Sequence, residues 1–89
     1  MDKHIIIKVK GKVQGVGFRY HTQKKANELG IKGFVKNEYD GSVYIEASGE
    51  ADSIDQLINW CYKGSDWAMV ENVEISENKI EHISAFSVK

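Results

Sequence analysis

The sequence has no proline and a single cysteine, Cys61. A lone cysteine cannot close an internal disulfide, which fits a reducing compartment, and a cytoplasmic protein is expected. The three histidines, His4, His21 and His82, lie far apart, and no Cys/His cluster has metal-ligand spacing. No metal and no cofactor is expected. Long apolar runs are also missing: Met1-Asp2-Lys3-His4 leads into only three consecutive isoleucines, which is neither a signal peptide nor a membrane span. Charge of either sign is not in excess. Twelve basic and thirteen acidic side chains leave a formal net charge of -1, so nothing draws the chain generally toward nucleic acid or an anionic membrane. An anion site would have to be local. With 89 residues and no repeat, low-complexity tract or linker, residues 1–89 read as one domain with a modest core, and a monomer is the expected state.

The stretch with the most chemistry is Val9-Lys10-Gly11-Lys12-Val13-Gln14-Gly15-Val16-Gly17-Phe18-Arg19-Tyr20. Ahead of it Ile5, Ile7 and Val9 alternate with Ile6, Lys8 and Lys10 in the period of a strand, and a helical pattern follows it. Gly15 and Gly17 permit positive φ, so successive N–H groups can converge on one anion, and the positive end of the following helix points the same way. Arg19 adds a permanently charged fork that matches phosphate. A dinucleotide fingerprint would need glycine where Tyr20 stands, and a Walker loop would need Gly-Lys-Ser/Thr; neither fits. Spacing alone leaves two readings open, a phosphate cradle or a tight strand-to-helix connection with Arg19 solvated. His21, beside the loop, is either a further anion contact or a surface histidine.

The first strand is expected over about residues 4–13, and a helix over 20–29 with Phe18, Thr22, Ala26 and Leu29 as its inward stripe and Gly30 at its C-terminal end. Strands at 33–37 and 42–47 flank Asp40-Gly41, a strong hairpin signal, and Gly49 closes that unit. A second helix opens at Ala51-Asp52-Ser53. It carries Ile54, Leu57, Ile58 and Cys61 on one face, with Ser53/Gln56 or Asp52/Asp55 as its cap. Trp60 is placed beside the stripe, under the loop Gly64-Ser65-Asp66-Trp67. A strand over 70–76, a polar loop and a short strand over 86–88 complete the chain. This order predicts an α+β ferredoxin-like sandwich, a split βαβ arrangement of βαββαβ plus a short C-terminal strand, with two helices on one face of an antiparallel sheet.

Val13-Gln14-Gly15-Val16-Gly17-Phe18-Arg19, Leu29-Gly30-Ile31-Lys32-Gly33-Phe34-Val35-Lys36-Asn37 and Asp40-Gly41-Ser42-Val43 together resemble the acylphosphatase family. The resemblance extends from Val9-Lys10-Gly11 through Trp60 and Gly64 to Phe86. It implies the ferredoxin-like fold and hydrolysis of the carboxyl-phosphate bond of a small acyl phosphate, with inorganic phosphate as product. It further implies that Gln14, Gly15, Val16, Gly17, Phe18 and Arg19 bind the phosphoryl group, that Arg19 is catalytic, and that Asn37 positions the attacking water. Two departures stand out: Ser65-Asp66-Trp67 lacks the proline the family often carries after the glycine, and Gly17 falls at a variable position. Without the resemblance, Asn37 also reads as a residue supporting the Asp40-Gly41 turn.

An acyl phosphate makes few demands on an enzyme, because its carboxylate leaving group has a conjugate acid of pKa about 4 to 5. Water placement and charge stabilisation suffice. Two other classes share the element order. An RNA-recognition module is suggested faintly by Lys32-Gly33-Phe34-Val35, but its later aromatics are missing and the net charge is acidic, so no nucleic-acid partner is expected. A sensor that binds an anion without hydrolysing it would share the cradle. The chain lacks the cysteine-rich segments that follow such domains in larger hydrogenase-maturation proteins, so a free-standing enzyme is expected.

Overall fold

In the computed structural model, which describes residues 2–77 and 85–89, the alternating isoleucines form a long first strand, β1 (Asp2–Lys12). The chain continues through α1 (Phe18–Glu28), β2 (Lys32–Asn37), β3 (Val43–Glu50), α2 (Ala51–Lys63), β4 (Met69–Glu77) and β5 (Phe86–Val88). The sheet runs β4-β1-β3-β2-β5. β1 is antiparallel to both β3 and β4, and β3 is antiparallel to β2, which is the split βαβ arrangement. β5 pairs parallel to β2, with Gly33 opposite Phe86, so the five-stranded sheet is mixed where an antiparallel one was expected. β4 runs opposite to β2, and a chain that reverses after β4 meets the β2 edge running with it.

Period-2 patterning decides the register. Ile5, Ile7 and Val9 of β1 lie opposite Ala47, Ile45 and Val43 of β3, and all six are buried on one face. A slip of one residue would turn that set to solvent, at about 1.5 to 3 kcal/mol for each large side chain. The helices cover this face. α1 buries Phe18, Thr22 and Ala26 over β2 and β5, while α2 buries Ile54, Leu57 and Cys61 over β4, β3 and β1. Burial pushes the Cys61 thiol up to about 12, so it packs as a small hydrophobe. Neither helix is long and apolar enough to cross a membrane.

Element ends differ from the spacing in instructive ways. α1 starts two residues before Tyr20, because Gly17 in the left-handed region is its N-cap. It ends as expected, with Gly30 N–H donating to Asn27 O and Ile31 N–H to Ala26 O, a Schellman closure. Gly49 does not close the hairpin: β3 continues to Glu50 and α2 follows at once. Glu50 is therefore the N-cap, Asp52 and Ser53 lie inside the first turn, and neither expected side-chain cap forms. Trp60 packs its ring 5.2 Å from that of Phe18. On the edge strand β4, Val73 is half-buried against the core and Ile75 is exposed. The polar loop expected before the last strand, and His82, fall largely outside the described residues.

Candidate active site

The segment joining β1 to α1 combines a sharp backbone path with unpaired donors. Gly15 and Gly17 have φ of 72° and 75°, in the region that favours glycine. Among the described residues, no N–H from position 15 to position 20 donates to a backbone or side-chain acceptor; the first bond of α1 runs from His21 N–H to Gly17 O. The first turn holds no acidic residue and Gly17 offers no side-chain cap, so no residue of α1 itself offsets this positive helix end. Six N–H groups and a helix terminus are left for an external acceptor.

The surrounding structure holds this loop still. Phe18 is buried against Trp60, and Thr22 Oγ1 donates to Phe18 O at 2.7 Å. On the far side, the buried Ser65 donates its hydroxyl to Val16 O at 2.8 Å, so the loop after α2 braces the glycine loop. The spacing gave Ser65 no role. The signal available was a small hydroxyl residue directly after a glycine that ends a helix, which is too common to single out.

Arg19 and Asn37, in different elements, share the wall of one pocket of about 290 Å³ with Gly15, Gly17 and Phe18. Arg19 is half-buried, and its Nη1 donates to Lys89 O at 3.2 Å, which anchors the guanidinium at the pocket beside β5. Tyr20, Val13 and Val88 complete the lining and make it largely apolar around the charged group. Val13 and Val88 were not singled out in the sequence, since an aliphatic residue in a strand pattern reads as core. Gln14 and Val16 do not line this pocket: Val16 packs against the core and Gln14 reaches the β2–β3 loop. His21 is exposed, sits edge-on to Tyr20 at 5.1 Å, and faces a neighbouring cleft with Lys24, Lys25 and Lys63.

Asn37 ends β2 opposite Val43, and among the described residues its side chain has no internal hydrogen-bond partner. The turn beyond it is held by other groups. Asp40 Oδ1 accepts from Ser42 N–H at 2.9 Å and from the Ser42 hydroxyl at 2.5 Å, and its other oxygen pairs with Lys8 at 3.0 Å. The two Ser42 bonds, with help from Lys8, hold the Asp40 carboxyl well below the usual carboxylate range. The Asn37 amide therefore stays available to the pocket. Among the described residues, no three His, Cys, Asp or Glu side chains gather as a metal ion would require.

Comparison with known proteins relates nearly the full length of the chain to one family. The acylphosphatase family model matches residues 5–88. An acylphosphatase of Shewanella amazonensis is 47% identical over 81 residues, covering 91% of this chain and 89% of the relative. One from Archaeoglobus fulgidus is 49% identical over 82 residues, covering 92% of each. The solved structure of an acylphosphatase from Coxiella burnetii superposes with a TM-score of 0.96 at 44% identity, over 99% of this chain and 93% of that one. A strand-to-helix loop with free donors, an arginine at the helix start and an unpaired asparagine one strand away thus occur in a chain that belongs to the acylphosphatase family, hydrolases that cleave the carboxyl-phosphate bond.

Proposed function

We propose that the backbone N–H groups of the loop that starts at Gln14, those of positions 15–20, and the Arg19 guanidinium hold the phosphoryl group of an acyl phosphate, while the Gln14 side chain turns to the β2–β3 loop and Asn37 positions the water that attacks phosphorus. The observation that carries this reading is the shared pocket: Gly15, Gly17, Phe18 and Tyr20, whose N–H groups have no internal acceptor among the described residues, line it together with Arg19 and Asn37. The phosphoryl oxygens accept from the loop and from Arg19, which stabilises the charge they carry in the transition state. The Asn37 amide offers both an acceptor and donors for a water, and it is too weakly basic to take a proton. Water attacks phosphorus in line as the bond to the carboxylate oxygen breaks. The carboxylate leaves as the anion, and both protons of the water remain on the inorganic phosphate. No general acid is needed for so weakly basic a leaving group.

The reaction so drawn calls on no metal ion, and the single cysteine fits a cytoplasmic enzyme; a monomer is the state we propose for it. The test is hydrolysis of benzoyl phosphate in the presence of a chelator, with inorganic phosphate as competitor. Turnover that the chelator leaves unchanged and phosphate inhibits is the expected result. A folded protein that binds phosphate without turning over the acyl phosphate would be an anion-binding domain instead.

A further inference from the structure

Gln14 belongs by position to the phosphate loop, yet its side chain is committed elsewhere. Its Nε2 donates to Glu38 O at 2.8 Å and to Ser42 O at 2.9 Å. A primary amide has two donor hydrogens, and both are spent on these carbonyls. What remains is Oε1, an acceptor, which phosphate does not attract. The two carbonyls belong to the loop that carries the chain from β2 to β3, and Glu38 is the residue directly after Asn37. Ser42 O also accepts from Glu38 N–H at 2.9 Å, so one amide ties both sides of the loop at its base. Among the described residues, these are the only hydrogen bonds between positions 13–17 and the β2–β3 loop.

We propose that Gln14 is a positioning residue: it fixes the distance between the phosphate cradle and Asn37, and so the distance between phosphorus and the attacking water. The Asn37 side chain has no internal partner to hold it, so its placement depends on the backbone at Asn37-Glu38. Gln14 is the group that ties that backbone to the cradle. The inference rests on the water-positioning role of Asn37. A displacement of about 1 Å at a reacting centre can cost about a hundredfold in rate, which is the scale on which such a tie matters.

The experiment is Gln14→Met, which keeps the length of the side chain and removes both donors, compared with the wild type, Asn37→Ala and the double variant. With benzoyl phosphate, kcat of Gln14→Met is expected to fall between about tenfold and a hundredfold, with the inhibition constant of inorganic phosphate unchanged. The double variant is expected to be no slower than Asn37→Ala alone, because Gln14 acts through Asn37. If Gln14→Met does not fold, Gln14→Asn, whose shorter arm cannot span both carbonyls, takes its place with the same expectations. A weakened phosphate affinity with unchanged kcat would make Gln14 a direct ligand and overturn the proposal, as would wild-type kcat in the variant or losses that multiply in the double variant. Should Asn37→Ala itself turn over like the wild type, it is the reading of Asn37 that fails. The tie is then judged by the Asn37 side-chain amide resonances in NMR spectra, which Gln14→Met is expected to shift; unshifted resonances overturn it.

Discussion

Two loops meet at the pocket, and they handle their polar groups in opposite ways. The glycine loop and the first turn of α1 together leave six consecutive N–H groups without an internal acceptor among the described residues. The β2–β3 loop is tied mostly from within: Glu38 N–H donates to Ser42 O, Gly41 N–H to Glu38 O and Ser42 N–H to Asp40, leaving, among the described residues, only the N–H groups of Tyr39 and Asp40 at its tip, and Gln14 adds two donors from outside. Donors left without an internal partner are open to solvent or to an anion, which is why the proposed phosphate site falls on this loop. A loop that closes its own bonds is built to stay in place. The pocket thus joins a receptive side to a rigid one, and Asn37 stands at the edge of the rigid side with its amide free.

Substitutions can separate the two sides. The largest effect is expected for Arg19→Ala, which removes the cation from the receptive loop. kcat/KM on benzoyl phosphate should fall by about a thousandfold or more, and the phosphate inhibition constant should rise, while the melting temperature stays close to that of the wild type because the core is untouched. Next comes Asn37→Ala, with kcat expected to fall about a hundredfold and phosphate affinity unchanged. Normal turnover in that variant would remove the water-positioning role and with it the functional half of the contrast.

A matched pair of glycines sharpens the contrast further. Gly17 and Gly41 have φ of 75° and 91°, and neither replacement meets a close backbone neighbour. Alanine at either position should cost about 1 to 2 kcal/mol in denaturant unfolding through left-handed strain. Only Gly17→Ala should also weaken phosphate binding, since only its loop presents donors to the ligand. Equal loss of phosphate affinity in both variants would erase the distinction between the loops.

The smallest effect concerns acid. The folded-state pKa of Asp40 is depressed by Ser42 and Lys8, so its contribution to stability is present above the unfolded value near 4 and is lost as pH falls below it. Melting temperatures of the wild type and Asp40→Asn should therefore differ slightly at pH 6 and converge as pH falls from about 4 toward 2. Because Asp40 is exposed and Lys8 is only half-buried, the difference should be modest and should shrink with salt.

Much of the fold was legible because its signals are local. The alternation of Ile5, Ile7 and Val9, the stripe of Ile54, Leu57 and Cys61, the Asp40-Gly41 turn and the Gly30 closure each appear in the structure where the spacing placed them. The expected caps at Ser53 and Asp52 do not form, because β3 runs on to Glu50 and leaves no residues to set either one before the helix. At the site, Arg19 announced itself by standing at a helix start after two glycines. Asn37 did not, since an asparagine near a turn is ordinary, and only its resemblance to a family motif marked it. Ser65 and the carbonyls held by Gln14 left no trace in local sequence, being paired across 49, 24 and 28 positions of the chain.

The sequence by itself determined which faces are buried and where the backbone turns. Those properties follow from side-chain period and glycine conformation, all within a few residues. Tertiary structure alone decided that β5 joins β2 in parallel, that Ser65 braces Val16, and that Gln14 reaches Glu38 and Ser42. It also decided that Arg19 and Asn37 share one pocket. The physical reason is that a side chain's period is written in its neighbours, whereas its hydrogen-bond partner is set by how the packed sheet and helices bring distant segments together.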